Sequence, residues 1–150
     1  MKPEVLQPLL RTELEYLVRA AASLEKSAAK CAKLEPSPRR TFEEEESFDA
    51  LTSKFARSSD ILTQKVLKTL VLLLREDAPT FIDRMNLCER LGVIPSAKAL
   101  IGVRDLRNMI AHEYAAEDLM QVYADTLEAV PVLLSAITSA RVFIGERFPG

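Results

Sequence analysis

The apolar residues of this chain recur at alternating steps of three and four, which is the spacing of one face of an α-helix. The clearest run lies between Pro8 and Glu35. Its members form a single stripe when placed on a helix, namely Leu10, Leu14, Leu17, Ala21, Leu24, Ala28 and Cys31. No segment alternates apolar and polar residues for long enough to indicate a β-strand. The spacing therefore predicts an all-α protein.

Short breaks divide this helical pattern into five segments. Pro36-Ser37-Pro38 ends the first helix, because proline lacks an N–H and restricts the residue before it. Thr41 followed by Glu44 has the pattern of a capping box, and starts a second helix that carries apolar residues as far as Leu73. The remaining boundaries are Pro79 and Gly92 for a short helix, Ser96 and His112 for the next, and a break near Ala115 before a last helix that reaches Phe143. The predicted fold is an up-and-down four-helix bundle with one short additional helix, in a single domain covering residues 1–150.

Composition limits the classes of function. The chain has 150 residues, of which 48% are hydrophobic and 28% are charged, as in an ordinary globular domain. Twenty Lys and Arg against 22 Asp and Glu give a net charge of -2. This balance excludes a generally basic surface that coats nucleic acid, but it allows a local basic cleft.

The sequence shows no sign of a membrane segment or a secretory signal. The longest consecutive apolar run, around Val71 to Leu74, is far shorter than the roughly 18 to 20 residues that cross a bilayer. Charged residues at Glu13, Glu15 and Arg19 interrupt the N-terminal region, where a signal peptide would be apolar. We therefore expect a cytoplasmic protein that does not insert into membranes.

Several residues with chemically useful side chains are expected to have structural roles. Cys31 and Cys88 lie far apart in helical segments and form no C-x-x-C pair, so buried free thiols are expected instead of a disulfide. Tyr16 and Tyr123 are expected to pack against the core with their hydroxyls at the surface. His112 is the only histidine, so any step that needs an imidazole has one candidate per subunit.

The segment from Arg104 to Tyr114 concentrates polar residues at the end of a helix. At about 100° per residue, one stripe is formed by Leu100, Val103, Arg107, Ile110 and Tyr114. Because an unpaired buried charge is costly, Arg107 is expected to point into a groove, an interface or a paired site. A neighbouring row at steps of four holds Arg104, Asn108 and His112, so these side chains are expected on one side of the helix with Arg107.

This set of side chains is suited to a phosphodiester. Arginine can form two hydrogen bonds with phosphate oxygens and stabilise charge that develops in a transition state. Histidine can give or take a proton at neutral pH. RNA supplies its own nucleophile, the 2′-hydroxyl, so no metal is required, and one histidine without a clustered carboxylate pair makes a zinc or two-metal site improbable. A two-fold dimer would bring two copies of His112 to one cleft and supply both an acid and a base.

Spacing alone also fits a structural interpretation. In that case His112 caps the end of a helix and Arg107 neutralises a carboxylate, as in many helical proteins without an active site.

The stretch Arg107-Asn108-Met109-Ile110-Ala111-His112-Glu113-Tyr114 resembles the R-x4-H-x-Y signature of the HEPN superfamily, in particular the toxins of HEPN-MNT toxin–antitoxin pairs. Leu106 before the motif and the break at Gly92-Val93-Ile94 also lie where such proteins have them. The helical pattern from about Phe48 to Phe143 is similar as well.

The resemblance implies a helical bundle that dimerises, with the motifs of two subunits lining one cleft, and a metal-independent endoribonuclease activity that needs no cofactor. Arg107 and His112 take the family's catalytic positions, and Asn108 takes the polar position after the arginine. Tyr114 takes the position of the tyrosine that, in several pairs, a nucleotidyltransferase antitoxin modifies with AMP to silence the toxin. Added negative charge at a phosphate-binding cleft would repel RNA. Arg104 and Asp105 lie outside the minimal motif and are expected to be supporting residues.

Two other functions are compatible with the sequence. A related branch of the family is described as a non-catalytic subunit that binds a nucleotide or a partner for a minimal nucleotidyltransferase. The second is a purely structural helical protein. The presence of Arg107, Asn108, His112 and Tyr114 together favours the endoribonuclease.

Overall fold

The computed structural model describes residues 1–34, 37, 39–112 and 116–150, and the described chain is helical without a strand. The helices, in chain order, are α1 (Pro3–Cys31), α2 (Phe42–Asp60), α3 (Leu67–Leu73), α4 (Phe81–Leu91), α5 (Ala97–Ala111) and α6 (Ala116–Arg147). A π-helical stretch, Ile61–Val66, joins α2 directly to α3. The prediction of an all-α protein is confirmed.

The continuous helix from α2 through the π stretch to α3 corresponds to the predicted second helix, but its middle is π-helical. Ile61 and Leu67, the residues at the two junctions, keep right-handed helical dihedral angles, so the chain does not turn between the elements. Within the π stretch the hydrogen bonds span one more residue than in an α-helix. Apolar spacing does not predict this change, because Leu62, Val66 and Leu70 are buried as expected.

Side-chain caps fix the starts of three helices. Thr41 and Glu44 form the predicted capping box, with Glu44 N–H donating to Thr41 Oγ1 at 3.2 Å and Thr41 N–H donating to Glu44 Oε1 at 3.4 Å. Ser96 caps α5 as predicted, and accepts a hydrogen bond from Ala99 N–H at 3.1 Å. The cap of α4 is Thr80, one residue after the predicted Pro79, because its hydroxyl accepts from the N–H of the third helical residue.

The core is built from one stripe of each helix. In α1, Leu10, Leu17, Leu24 and Cys31 are buried and the intervening residues of the predicted stripe are partly buried. Helix α2 packs against α1, α5 and α6, and α5 packs in turn against α4 and α6. Helices α2 and α6 therefore both connect α1 to α5.

The cysteines and Tyr123 are part of this core. Cys31 and Cys88 are free and buried as predicted, and burial raises the pKa of the Cys88 thiol to about 11. The Tyr123 ring stacks on Phe48 at 4.9 Å, and its hydroxyl donates to Asp49. Burial, followed by this hydrogen bond, raises the pKa of Tyr123. With an exposed fraction of only 1%, Tyr123 is more deeply buried than expected.

Helix α6 differs from the expectation that no segment is apolar enough to cross a membrane. By length and composition alone, its residues Asp118–Arg147 meet that criterion. Sequence inspection for consecutive apolar residues misses this feature, since small polar residues interrupt a stretch that has no charge between Glu128 and Arg141. A core helix of a soluble protein meets the same criterion, and α6 packs against α1, α2 and α5.

Candidate functional site

The part of the predicted polar segment that is helical, from Arg104 to Ala111, forms about the last two turns of α5. The helix ends at Ala111, and His112 follows in an extended conformation with φ of -93° and ψ of 157°. The His112 N–H donates to the Met109 carbonyl at 3.1 Å, which closes the last turn. The imidazole therefore projects from a helix terminus and not from a regular helical turn.

Arg107 is held by a two-pronged ion pair with Asp60. Its Nε and Nη2 donate to Asp60 Oδ1 and Oδ2, both at 2.8 Å. This geometry holds the plane of the guanidinium, and the hydrogen bond raises the pKa of Arg107. Three of the five guanidinium N–H groups remain outside the pair, and 32% of the Arg107 side chain is exposed. The structure thus gives Arg107 the paired site that its position in a core stripe requires.

Asp60 is a residue of this site that sequence reasoning missed. It is the last residue of α2 and directly precedes the π stretch. Two buried serines, Ser58 and Ser59, come before it, and the Ser59 carbonyl accepts a hydrogen bond from the Thr63 hydroxyl at 2.8 Å. The expected burial cost of Arg107 does signal that an acidic partner exists, but among 22 acidic residues it does not identify which one.

Asn108 and His112 are exposed, and Asp105 is exposed one turn earlier. In the part of the chain that the structure describes, neither Asn108 nor His112 forms a side-chain hydrogen bond. His112 follows the last residue of α5 in an extended conformation, so helical spacing does not fix the direction of its imidazole relative to Asn108. Both side chains are exposed and are therefore available to a ligand.

Arg104 faces a different neighbour from Arg107. Its guanidinium carbon lies 4.2 Å from the centroid of the Phe81 ring, at the start of α4, and its Nε is buried without a hydrogen-bond partner among the described residues. Arg84 also approaches the Phe81 ring, at 5.7 Å. Arg104 thus packs toward α4 whereas Arg107 is bound to α2, so α5 carries its two arginines on two of its interfaces.

The remaining sequence predictions for this site concern Tyr114 and metal binding. Tyr114, the residue expected to be modified, lies outside the described residues together with Glu113. Within the described ranges, no group of three His, Cys, Asp or Glu residues is arranged to hold a metal ion.

Comparison with known proteins finds no matching family model, no matching curated protein and no matching solved structure.

Proposed function

We propose that this protein is a metal-independent endoribonuclease toxin that cleaves RNA at the exposed end of α5. Arg107 binds the scissile phosphate, His112 transfers protons, and Asn108 orients the phosphate or the imidazole. Arg104 and Asp105 have supporting roles. We further propose that the helices form an up-and-down four-helix bundle in which α4 is the short additional helix.

The observation that carries this proposal is the contrast between Arg107 and His112. Arg107 is fixed by Asp60 yet partly exposed, with N–H groups left for a second ligand. His112 is exposed and has no side-chain partner among the described residues. The purely structural interpretation accounts for the ion pair of Arg107. It does not account for His112, because the helix end is closed by the His112 backbone N–H and not by its imidazole.

The reaction follows from the chemistry of RNA. One imidazole removes the proton of a 2′-hydroxyl, and the 2′-oxygen attacks the adjacent phosphorus. The bond from phosphorus to the 5′-oxygen breaks, and that oxygen takes up a proton as it leaves. The products are a 2′,3′-cyclic phosphate and a free 5′-hydroxyl, with no net change in protons. Arg107 stabilises the charge that builds up on the phosphate oxygens.

The resemblance to HEPN toxins supplies the cellular context of the proposal. The protein acts in the cytoplasm as a homodimer whose cleft contains His112 from both copies. A cognate nucleotidyltransferase antitoxin of the MNT type neutralises it by transferring AMP to Tyr114. Mass measurement of the Tyr114 peptide after co-expression with the neighbouring gene tests this partner, and an unmodified peptide would contradict it.

The decisive experiment compares RNA cleavage by wild type and His112→Ala purified in parallel. General acid–base catalysis contributes roughly 10²- to 10⁴-fold, so the variant is expected to lose most of the activity. Because His112 is exposed, the melting temperature should not change. Cleavage should persist in EDTA and leave 2′,3′-cyclic phosphate ends. Equal rates of RNA cleavage by wild type and His112→Ala would contradict the mechanism.

A second candidate is a non-catalytic subunit that binds a nucleotide or a partner for a minimal nucleotidyltransferase. It is favoured by the ion pair itself, because Asp60 offsets the charge with which Arg107 would attract a phosphate. An absence of cleavage by wild type, combined with a stable complex with the nucleotidyltransferase, would select this function.

A further inference from the structure

A basic groove lies between α1 and α2. It encloses about 250 Å³ and is lined by Tyr16, Arg19, Ala20, Ser23, Lys54 and Arg57. Three of these six residues carry a positive charge, and none carries a carboxylate. A groove lined by charges of one sign concentrates the electrostatic field, although the net charge of the chain is -2.

Among the described residues, no carboxylate forms an ion pair with a cation of the groove. The described residues contain two ion pairs, which join Arg40 to Glu45 and Arg107 to Asp60. Lys54 Nζ donates instead to the uncharged Ser27 hydroxyl at 2.8 Å. The guanidinium of Arg19 lies over the Tyr16 ring at 5.7 Å from its centroid. Three like charges without a counter-charge favour an anionic ligand.

Helix α2 connects this groove to the proposed cleavage site. Successive residues of an α-helix are rotated by about 100° and rise about 1.5 Å. Lys54 and Asp60 therefore lie about 60° to either side of Arg57, and Arg57 is about 4.5 Å along the axis from Asp60. Lys54 faces the groove beside α1, Asp60 faces Arg107 on α5, and the exposed Arg57 lies between them. A polyanion can thus contact both sites across one face of α2.

We propose that the α1–α2 groove binds the backbone of single-stranded RNA, continuing from the cleavage site at Arg107 across Arg57 to Arg19 and Lys54. Tyr16, whose exposed fraction is 49%, provides an aromatic surface for a base. Tyr16 was expected to pack against the core, and its exposure beside three cations instead suits nucleic acid. The identity of the ligand as RNA rests on the proposed function.

The test measures binding of a fluorescein-labelled 2′-O-methyl RNA oligonucleotide by anisotropy over a series of salt concentrations. This RNA lacks the 2′-hydroxyl nucleophile, so binding is separated from cleavage. Arg57→Ala and Arg19→Ala should each weaken binding several-fold and reduce the salt slope by about 0.7 for each phosphate that the variant no longer neutralises. Tyr16→Ala should weaken binding about fivefold or more without changing that slope. Arg141→Ala, at an exposed arginine of α6, is the matched control and should bind as wild type does.

The outcomes separate this inference from the proposed function. Binding by Arg57→Ala and Arg19→Ala at wild-type strength, with His112→Ala still unable to cleave, would overturn the groove alone. Groove-dependent binding by a wild type that cannot cleave RNA would overturn the nuclease and support the groove. Displacement of the RNA by a glutamate-rich peptide of equal charge, together with an unaffected Tyr16→Ala variant, would assign the groove to an acidic protein and overturn the RNA assignment.

Discussion

Under the proposed function Arg107 both pairs with Asp60 and binds a phosphate, and these two roles compete for its charge. Its Nε and one Nη2 hydrogen are used by Asp60, and this fixes the direction in which the remaining N–H groups point. A guanidinium that is already oriented loses less conformational entropy when it binds a phosphate. The carboxylate also offsets part of the positive charge. Asp60 therefore fixes the orientation of Arg107 but weakens its electrostatic attraction for a phosphate.

The variant Asp60→Asn separates the effect of the ion pair on stability from its effect on cleavage. Both members of the pair are partly exposed, so the free energy of unfolding should fall by no more than about 1 kcal/mol. RNA cleavage should fall by about 10²-fold, because a guanidinium displaced by about 1 Å no longer meets the transition state. Urea denaturation and initial cleavage rates measure the two quantities separately.

Glu45→Gln is the control for Asp60→Asn. It removes the other ion pair of the described residues, between Arg40 and Glu45 at 3.6 Å, at a distance along α2 from the candidate site. Its cost in stability should be similar, and its cleavage rate should equal that of wild type. If Asp60→Asn also cleaves at the wild-type rate, the pair is a structural contact and does not position Arg107.

At the residue scale the sequence therefore predicts which groups can carry chemistry but not what holds them. His112 stands out because it is the only histidine, and Arg107 because it interrupts an apolar stripe. Asp60 has no comparable signal, since its role depends on how α2 and α5 are placed. Arg104 shows the same limit, because its packing on Phe81 depends on the position of α4.

At the scale of elements, local chemistry determines most boundaries. The Thr41 and Ser96 caps and the left-handed Gly92 at the end of α4 follow from residue type and short-range hydrogen bonds, and the sequence predicts all three. The π stretch after Asp60 does not follow from residue type. It joins two segments whose apolar residues must both face the core, and that requirement arises only when α1, α5 and α6 are in place.

Replacing Gly92 and Gly102 by alanine applies the same chemical change at the end of α4 and in the interior of α5. Gly92→Ala should destabilise the protein by about 1 to 2 kcal/mol, because Gly92 has φ of +81° although no atom lies within 4 Å of an added Cβ. Gly102→Ala should stabilise the protein by roughly 0.5 to 1 kcal/mol, because Gly102 lies inside α5 and its Cβ position is equally open. Urea denaturation curves of both variants give the two changes.

The opposite signs are the informative part of this comparison. Both substitutions add one methyl group in open space, so packing cannot account for a difference between them. A decrease in stability in both would mean that the exposed face of α5 at Gly102 has a neighbour in solution. An increase in both would contradict the left-handed end of α4.

At the scale of the whole molecule, the arrangement of charge matters more than its sum. A net charge of -2 gives no attraction for RNA, yet Arg19 of α1 and Lys54 and Arg57 of α2 form one basic groove, and α2 also carries Asp60. Helical periodicity predicts which side of α1 and of α2 is buried. It does not predict that their exposed edges meet to form a groove, because that depends on how the two helices pair.

The number of imidazoles at one cleft depends on whether two chains share it. Cleavage by 2′-hydroxyl attack uses a base and an acid, and each chain has one histidine. If a two-fold dimer shares one cleft, both functions come from two copies of His112, and a dimer with one His112→Ala chain is inactive. Wild type and His112→Ala refolded together in equal amounts should then retain about one quarter of the activity of the same total amount of wild type, because random pairing leaves about one quarter of the dimers intact.

Wild type refolded with Arg141→Ala should retain full activity and controls for losses in refolding. A retained activity of about one half would mean that each chain acts through its own His112, and the acid or the base would then have to be another group on the same chain.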